Sequence, residues 1–293
     1  MTQLTVTAAE GRALDVTVEG PQDGRLLLTH HGTPGGGGDI YPPDVETAAE
    51  RGVRIAAYAR PGYAGSDRDE GRSVASCAAD AAAVADALEA ERFHTVGGSG
   101  GGPHSLACAA LLPERVISAA TIAGVAPSDA EGLNWTAGMG EENHQEFAAA
   151  EAGGAELETF LTPFREQLAS ITADQVAASL GDLISAADAA VLTGEFADHV
   201  AKSMREAIAP GYWGWFDDDM AFLSDWGFRL DGFAVPVSIW QGRDDRFVPP
   251  AHGEWLAENV NGARAHLLDG HGHLSLSLGL FGEILEELLE AGD

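Results

Sequence analysis

The segment VGGSGGGPHSL, residues 96–106, constrains the fold more than any other part of the sequence. Five glycines surround Ser99, between a predicted strand and a predicted helix. Because glycine costs the most conformational entropy to order, such a cluster indicates a backbone that other residues cannot adopt. Residues 97–101 fit the pattern Gly-x-Ser-x-Gly, in which a sharp strand-to-helix turn lifts the serine hydroxyl above a sheet. The pattern predicts a reactive serine at position 99.

Two other glycine loops fit this segment less well. A dinucleotide-binding Gly-x-Gly-x-x-Gly pattern would place Pro103 at its last glycine, and a phosphate-binding P-loop needs a lysine that this segment does not contain. A flexible linker would not be bracketed by a strand and a helix. We therefore favour the serine turn, with Pro103 in the first turn of the helix that follows.

The five glycines have different predicted roles in this turn. Gly97 and Gly101 lie where the backbone is crowded, and the N–H group of Gly100 lies at the helix start, where it can face a developing oxyanion. Gly98 leaves open space beside the serine, and we expect it to influence substrate preference. Gly102 has no predicted role.

Strand-like and helical patterns alternate over most of the chain. This alternation predicts an α/β fold with a mostly parallel, eight-stranded sheet flanked by helices. The predicted strands are residues 3–7, 14–19, 25–30, 53–58, 95–98, 116–122, 235–241 and 263–268. The predicted helices include residues 43–51, 74–91, 103–112, 250–259 and 276–289.

Only helical patterns occur in residues 127–231, a stretch too long for a loop in a compact domain. We predict that this stretch is an all-helical lid inserted after strand 6. Residues 1–126 and 232–293 then form the α/β core.

The charge of the chain excludes some partners. Asp and Glu number 46 against 16 Lys and Arg, a net charge of −30, which would repel nucleic acid and anionic membranes. The sequence contains no apolar run of transmembrane length, and no signal peptide is expected from its first residues. Cys77 and Cys108 lie in alanine-rich helical patterns and are expected to be small buried side chains. A cytoplasmic protein, monomer or homodimer, is expected. Either a coding bias or a high-salt habitat would explain the acidity.

A reactive serine needs a base, and the base needs an orienting acid. Asp245 follows the predicted strand 235–241 in an Asp-x-x-Val-Pro pattern, with Asp244 as an adjacent alternative. His273 follows the last predicted strand in DGHGHLSL, where glycines flank His271 and allow a loop to carry a histidine over the sheet edge. His271 and His273 also form a His-x-His pair, but no acidic metal-binding signature follows, so no metal is expected. The chain order Ser99, Asp245, His273 fits the Gly-x-Ser-x-Gly arrangement.

A second oxyanion donor is predicted in HHGTPGGGG, residues 30–38, which follows the third strand. The His31-Gly32 pair there would bring the N–H group of Thr33 to the pocket, opposite Gly100. A generic glycine loop would also explain the segment.

These features together resemble the α/β-hydrolase-fold serine hydrolases over nearly the whole chain. ARPGYAGSD, residues 59–67, resembles a family segment that follows the fourth strand, except that Ala59 stands where an aspartate is usual. The resemblance implies that Ser99 is the nucleophile, Asp245 the acid and His273 the base, with Thr33 and Gly100 as oxyanion donors. It also implies that no cofactor is needed. A serine at position 99 argues against the epoxide-hydrolase and haloalkane-dehalogenase branches, which use a carboxylate.

The substrate is less well determined by the sequence. Aromatic residues of the lid, among them Trp213, Trp215 and Trp226, either pack the lid or line an apolar acyl pocket together with Gly98 and His31. We expect hydrolysis of a small to medium, apolar ester.

Two alternatives stay open at this point. HGTPGGG resembles a run in proline iminopeptidases, so a short peptide or amide is the alternative substrate. It would need lid acids that bind a substrate ammonium group, for which Glu141, Glu142, Glu146 and residues 217–219 are candidates. A catalytically inactive ligand-binding protein of the same fold is the other alternative.

Overall fold

Eight strands form one sheet in the computed structural model, which describes residues 1–38 and 40–291. The strands are β1 (Thr2–Thr7), β2 (Ala13–Glu19), β3 (Arg25–His30), β4 (Val53–Tyr58), β5 (Phe93–Gly98), β6 (Val116–Ile122), β7 (Val237–Gly242) and β8 (Arg264–Leu268). Their order across the sheet is β1-β2-β4-β3-β5-β6-β7-β8. Strand β2 pairs antiparallel with both β1 and β4, and the six strands β3 to β8 are parallel to one another. The predicted fold class is confirmed.

Helices cover both faces of this sheet, as the apolar strands of a parallel sheet require. They are α1 (Pro42–Glu50), α2 (Cys77–Ala87), α3 (Gly102–Leu111), α4 (Glu141–Ala152), α5 (Gly154–Leu168), α6 (Ala173–Ser179), α7 (Ala186–Val191), α8 (Gly194–Ala207), α9 (Trp213–Phe222), α10 (Pro250–Asn259) and α11 (His273–Glu290). Alternation along β3 shows the two layers: Leu26 and Leu28 pack in the core on the α2 and α3 side, and Leu27 packs in the core that contains α11.

The end of the chain differs from the sequence prediction in a way that matters for the site. The last helix begins at His273, three residues before the predicted start, so this histidine opens a helix and does not lie in a loop. Gly272 precedes the helix without a side chain to cap it. The cap comes from Asp188, which accepts a hydrogen bond from the backbone N–H of His273 at 3.0 Å. A cap supplied from so far along the chain leaves no local sign in the sequence.

Residues 127–231 contain α4 to α9 and supply most of an apolar cluster that Ala59 and Tyr63 also join. Leu157 and Leu161 of α5 and Trp215 of α9 are buried in that cluster. The division between core and lid at residues 126/127 and 231/232 stays a prediction.

No helix among the described residues is long and apolar enough to cross a membrane. Cys77 and Cys108 are buried and carry free thiols.

Candidate active site

Ser99 lies in a tight turn between β5 and α3. Its φ is +54°, a left-handed conformation that is costly for a residue with a side chain. The turn closes on itself: a Cβ on Gly97 would lie 2.0 Å from the carbonyl oxygen of Gly101, and one on Gly101 would lie 2.1 Å from that of His30. Glycine is thus sterically required at both positions that the pattern singles out.

The other three glycines of the turn differ in what surrounds them. A Cβ on Gly100 would lie 2.4 Å from the hydroxyl oxygen of Thr33, and one on Gly102 would lie 2.4 Å from that of Thr121. The need for Gly102, which the sequence left unexplained, is therefore the close approach of α3 to the end of β6. A Cβ on Gly98 would have no described heavy atom within 4 Å. Gly98 leaves open space where a side chain would fit.

The loop after β3 packs directly on this turn. A Cβ on Gly32 would lie 3.4 Å from Cβ of Ser99 and 3.9 Å from its Oγ. Together with the approach of the Thr33 hydroxyl to Gly100, this brings Thr33 and Gly100, the two residues of the predicted oxyanion donors, close to the serine.

His273 and Asp245 form a buried hydrogen-bonded pair. The Nδ1–H group of His273 donates to Oδ2 of Asp245 at 2.8 Å, which leaves Nε2 of the same imidazole for another partner. The ring of Phe247 stacks on the imidazole with centroids 4.5 Å apart. Burial lowers the pKa of His273, but Asp245 and Asp188 outweigh it, and the pKa is raised overall.

The backbone around Asp245 fixes its carboxylate. Oδ1 accepts hydrogen bonds from the N–H groups of Phe247 and Val248, both at 2.9 Å, and Oδ2 accepts one from the side chain of Gln241 at 3.2 Å. Asp244 is exposed. The structure therefore brings Asp245, rather than its neighbour, to His273.

No group of three or more His, Cys, Asp or Glu side chains in the described ranges could hold a metal ion.

A buried ion-pair network supports the loop after β3, and sequence reasoning missed it. Arg60, from the ARPGYAGSD segment, donates to the carbonyl oxygens of His31 and Gly32 and to the hydroxyl of Thr33. Asp218 of α9 binds Arg60 at 2.6 Å and accepts a hydrogen bond from the Thr33 hydroxyl at 2.7 Å. Helix α9, which comes well after β6 in the chain, thus helps to shape the predicted oxyanion loop.

Ser99 and His273 open onto one cavity of about 390 Å³. Thr33, Gly98 and Gly100 line it as well, and so does Trp215 of α9. Most of the other lining side chains are apolar, including Phe147, Phe160, Phe164, Leu168, Met204 and Phe222.

Three predicted pocket residues lie outside this cavity. Trp213 contacts the tilted ring of Tyr212 and lies under the guanidinium of Arg68, and Trp226 is buried against Phe228 in the core. His31 is turned away because both of its ring nitrogens are engaged: Nδ1–H donates to the Gly32 carbonyl at 2.7 Å, and Nε2 accepts from the Arg60 N–H at 3.0 Å. These positions correct the expectation that Trp213, Trp226 and His31 line the pocket.

Three acidic residues line the same cavity, Glu142, Glu146 and Asp219, and two of them, Glu146 and Asp219, have few hydrogen-bond partners. Glu146 of α4 accepts a hydrogen bond from the indole of Trp215 at 2.6 Å, and burial raises the pKa of Glu146 to about 7. Asp219 is fully buried, and neither of its oxygens has a hydrogen-bond donor in the described part of the chain. Burial and the nearby Glu146 raise the pKa of Asp219. Burial thus makes the ionised form of both acids costly.

Comparison with known proteins identifies the family of the chain. The family model for the alpha/beta hydrolase fold matches residues 25–280. The chain belongs to the α/β-hydrolase family. One relative is a 2-hydroxy-6-oxononadienedioate/2-hydroxy-6-oxononatrienedioate hydrolase of Cupriavidus pinatubonensis, which is 26% identical over 85% of this chain and 80% of the relative. Another is a 2-hydroxy-6-oxo-6-phenylhexa-2,4-dienoate hydrolase of Comamonas testosteroni, which is 27% identical over 85% of this chain and 80% of that relative. A solved structure of an α/β-hydrolase-fold protein from Nakamurella multipartita covers all of both chains with a TM-score of 0.66 and 25% identity. The chain is an enzyme of a hydrolase family, with a small molecule as its substrate.

Proposed function

We propose that this enzyme is a serine hydrolase that cleaves a small to medium, apolar acyl ester through an acyl-enzyme intermediate. The observation that carries the proposal is the shared cavity: it holds Ser99, in a strained turn, and His273, whose imidazole is held by Asp245 at 2.8 Å. A nucleophile, a base and an orienting acid are the minimum set for such catalysis.

The mechanism follows from the roles that these groups can take. Nε2 of His273 accepts the Ser99 hydroxyl proton as Oγ attacks the acyl carbon, and Asp245 stabilises the imidazolium that forms. The backbone N–H groups of Thr33 and Gly100 stabilise the negative oxygen of the tetrahedral intermediate. The imidazolium then protonates the leaving alcohol, and a water molecule activated by the same imidazole releases the acid. None of these steps needs a cofactor.

The cavity supports a substrate of limited size with an apolar acyl group. Its volume of about 390 Å³ is at the small end of the range for ligand pockets. The substrate named for the Cupriavidus relative is a dioate, whereas the described residues that line this cavity include no arginine or lysine to pair with a dicarboxylate. A neutral ester fits these features better than an anionic ketone.

A series of p-nitrophenyl esters tests the proposal. We expect kcat/KM to peak for acyl chains of intermediate length and to fall for chains too long for the cavity. Ser99→Ala should lower kcat by at least about 10³-fold without loss of fold. Folded wild-type enzyme that leaves every ester of the series at the buffer rate, or full activity in Ser99→Ala, would contradict the proposal.

A second candidate function is the hydrolysis of an ester or amide that carries a protonated amine. The observation that favours it is the pair Glu146 and Asp219, which line the cavity close to each other: Glu146 accepts from the Trp215 indole, and Asp219 has no N–H or hydroxyl donor among the described residues. A buried carboxylate without a partner is costly, and an ammonium group of the substrate would satisfy it.

This candidate is tested by comparing the p-nitroanilides of proline and alanine with p-nitrophenyl butyrate. Amine recognition predicts cleavage of an anilide and a loss of about 10-fold or more in its kcat/KM for Asp219→Asn, with little change on the butyrate. Cleavage of the butyrate alone, unaffected by Asp219→Asn, contradicts amine recognition and leaves the ester proposal standing.

A further inference from the structure

Asp188 of α7 reaches from the helical segment after β6 to the start of α11. It is fully buried, and its carboxylate accepts five hydrogen bonds. Three come from consecutive backbone N–H groups: His273 at 3.0 Å, Leu274 at 2.8 Å and Ser275 at 2.9 Å. The hydroxyl of Ser275 at 3.0 Å and that of Ser185 at 2.8 Å complete the set.

This arrangement replaces an ordinary helix cap. The first N–H groups of a helix lack partners within it, and a side chain just before the helix usually accepts from them. Here that residue is Gly272, and a Cβ on it would lie 2.3 Å from Oδ2 of Asp188 and from Oγ of Ser185. The glycine thus makes room for a carboxylate that lies 85 residues earlier in the chain than His273.

The charge of Asp188 acts on the same histidine as its hydrogen bonds. Burial would raise the pKa of Asp188, but the Ser275, Ser185 and His273 hydrogen bonds lower it overall, so the group is ionised at neutral pH. The charged groups that act on the imidazole of His273 are Asp245, from the loop after β7, and Asp188, from α7. Phe247 covers one face of the ring with an uncharged surface.

We propose that Asp188 is a positioning residue for His273, through which the helical segment inserted after β6 controls the base of the active site. The inference rests on the proposed role of His273 as that base. Asp188 fixes the backbone on which the imidazole is mounted, while Asp245 fixes the ring at Nδ1. If α7 moved away, the first turn of α11 would lose three backbone partners at once. The imidazole would still be bound to Asp245, but the backbone that carries it could shift. Even a small displacement of a catalytic group lowers the reaction rate by a large factor.

The electrostatic part of the proposal has a definite sign. The imidazole must be neutral to accept the serine proton, so activity falls as the pH drops through the pKa of His273. A negative charge on Asp188 favours the imidazolium and raises that pKa. Removal of the charge therefore moves the acid limb of the pH profile to lower pH.

Asp188→Asn tests the proposal against a matched control, Asp174→Asn, which removes the same charge from an exposed position on α6. The low-field proton signal of the His273 Nδ1–H group, followed against pH, reports the pKa of His273 without any substrate. The rate of Ser99 labelling by a fluorophosphonate reports its function as base. In Asp188→Asn we expect a pKa lower by about half a unit and labelling on the order of 10-fold slower, and in Asp174→Asn neither change.

Ser185→Ala provides a milder variant that keeps the charge and removes one hydrogen bond. It should slow labelling about 2-fold to 3-fold and leave the pKa of His273 in place. Wild-type values of both quantities in folded Asp188→Asn would overturn the proposal, and so would slow labelling with no change in pKa. If Asp188→Asn does not fold, a wild-type labelling rate in Ser185→Ala overturns it. If wild-type Ser99 does not label, the proposed function fails, while the proton titration still decides the role of Asp188.

Discussion

Replacing Asp218 by asparagine should destabilise the protein strongly, because Asp218 is the centre of a buried charge network. Its side chain has 0% exposure and binds Arg60 at 2.6 Å and Arg72 at 2.7 Å, whose side chains are only 1% and 3% exposed. Tyr63 and Thr33 donate to the same carboxylate, each at 2.7 Å. Burial would raise the pKa of Asp218, yet the two arginines hold it well below its usual range.

The magnitude follows from what the substitution leaves behind. Asp218→Asn keeps the shape but leaves two buried guanidinium groups without a counter-charge, which costs about 3–5 kcal/mol. That is a large part of the ~5–15 kcal/mol of a typical folded protein, and it corresponds to a melting temperature lower by about 6–10 °C. Since the pKa of Asp218 is lowered by folding, its contribution is fully present above about pH 4 and is lost as the pH falls further.

Urea unfolding followed by circular dichroism measures this loss, with Asp217→Asn as the matched control. Asp217 pairs with Arg68, which is 26% exposed and can turn to water, so the control should cost about 1 kcal/mol. If Asp218→Asn costs no more than Asp217→Asn, the network does not support the fold as described. Thr33 lies in this network, so esterase activity of Asp218→Asn should fall further than its folded fraction does.

Three further predictions have defined outcomes. Gly98→Ala should fold normally, because φ is −97° and a Cβ at this position meets open space. The variant should prefer p-nitrophenyl esters with shorter acyl chains than the wild type does. An unchanged preference for acyl-chain length would show that the substrate does not use this space. Asp245→Asn should lower kcat by about 10³-fold or more, whereas Asp244→Asn should keep most activity, and the reverse result would move the acid by one residue. Glu146→Gln should stabilise the protein by about 1–3 kcal/mol at pH 8, as measured by urea unfolding. The reason is that folding raises the pKa of Glu146 to about 7, so the carboxyl group destabilises the folded state increasingly as the pH rises from about 4.5 to 7. Equal stability of the variant and the wild type at pH 8 would contradict this.

Local patterns were enough to predict the parts of the site that depend on neighbouring residues. The turn at Ser99 requires glycines two positions away on each side, and the steric reason is visible in the pattern itself. The segments that follow β7 and β8 likewise identify Asp245 and His273 as candidates, because the chain leaves a parallel sheet at the same edge each time. The structure joins these two candidates by a hydrogen bond of 2.8 Å.

Contacts between distant residues could not be predicted in the same way. Arg60 and Asp218 are 158 positions apart, and Asp188 and His273 are 85 positions apart, so neither pairing leaves a periodic or local signal. The direction of a side chain within a helical segment is equally hidden: Trp215 reaches the cavity, whereas Trp213, two residues earlier on the same helix, does not. Successive residues of a helix face different directions, and only packing decides which face meets the site.

Labelling with a fluorophosphonate, followed by mass spectrometry of the peptide that contains residue 99, tests most directly whether Ser99 is an activated nucleophile. We predict one phosphonyl group per wild-type chain, attached to Ser99. Labelling should be lost in Ser99→Ala and greatly slowed in His273→Ala, with both variants folded. Folded wild-type protein that takes up no label, or takes it up at another residue while Ser99 stays free, would contradict the proposed catalytic role of this serine.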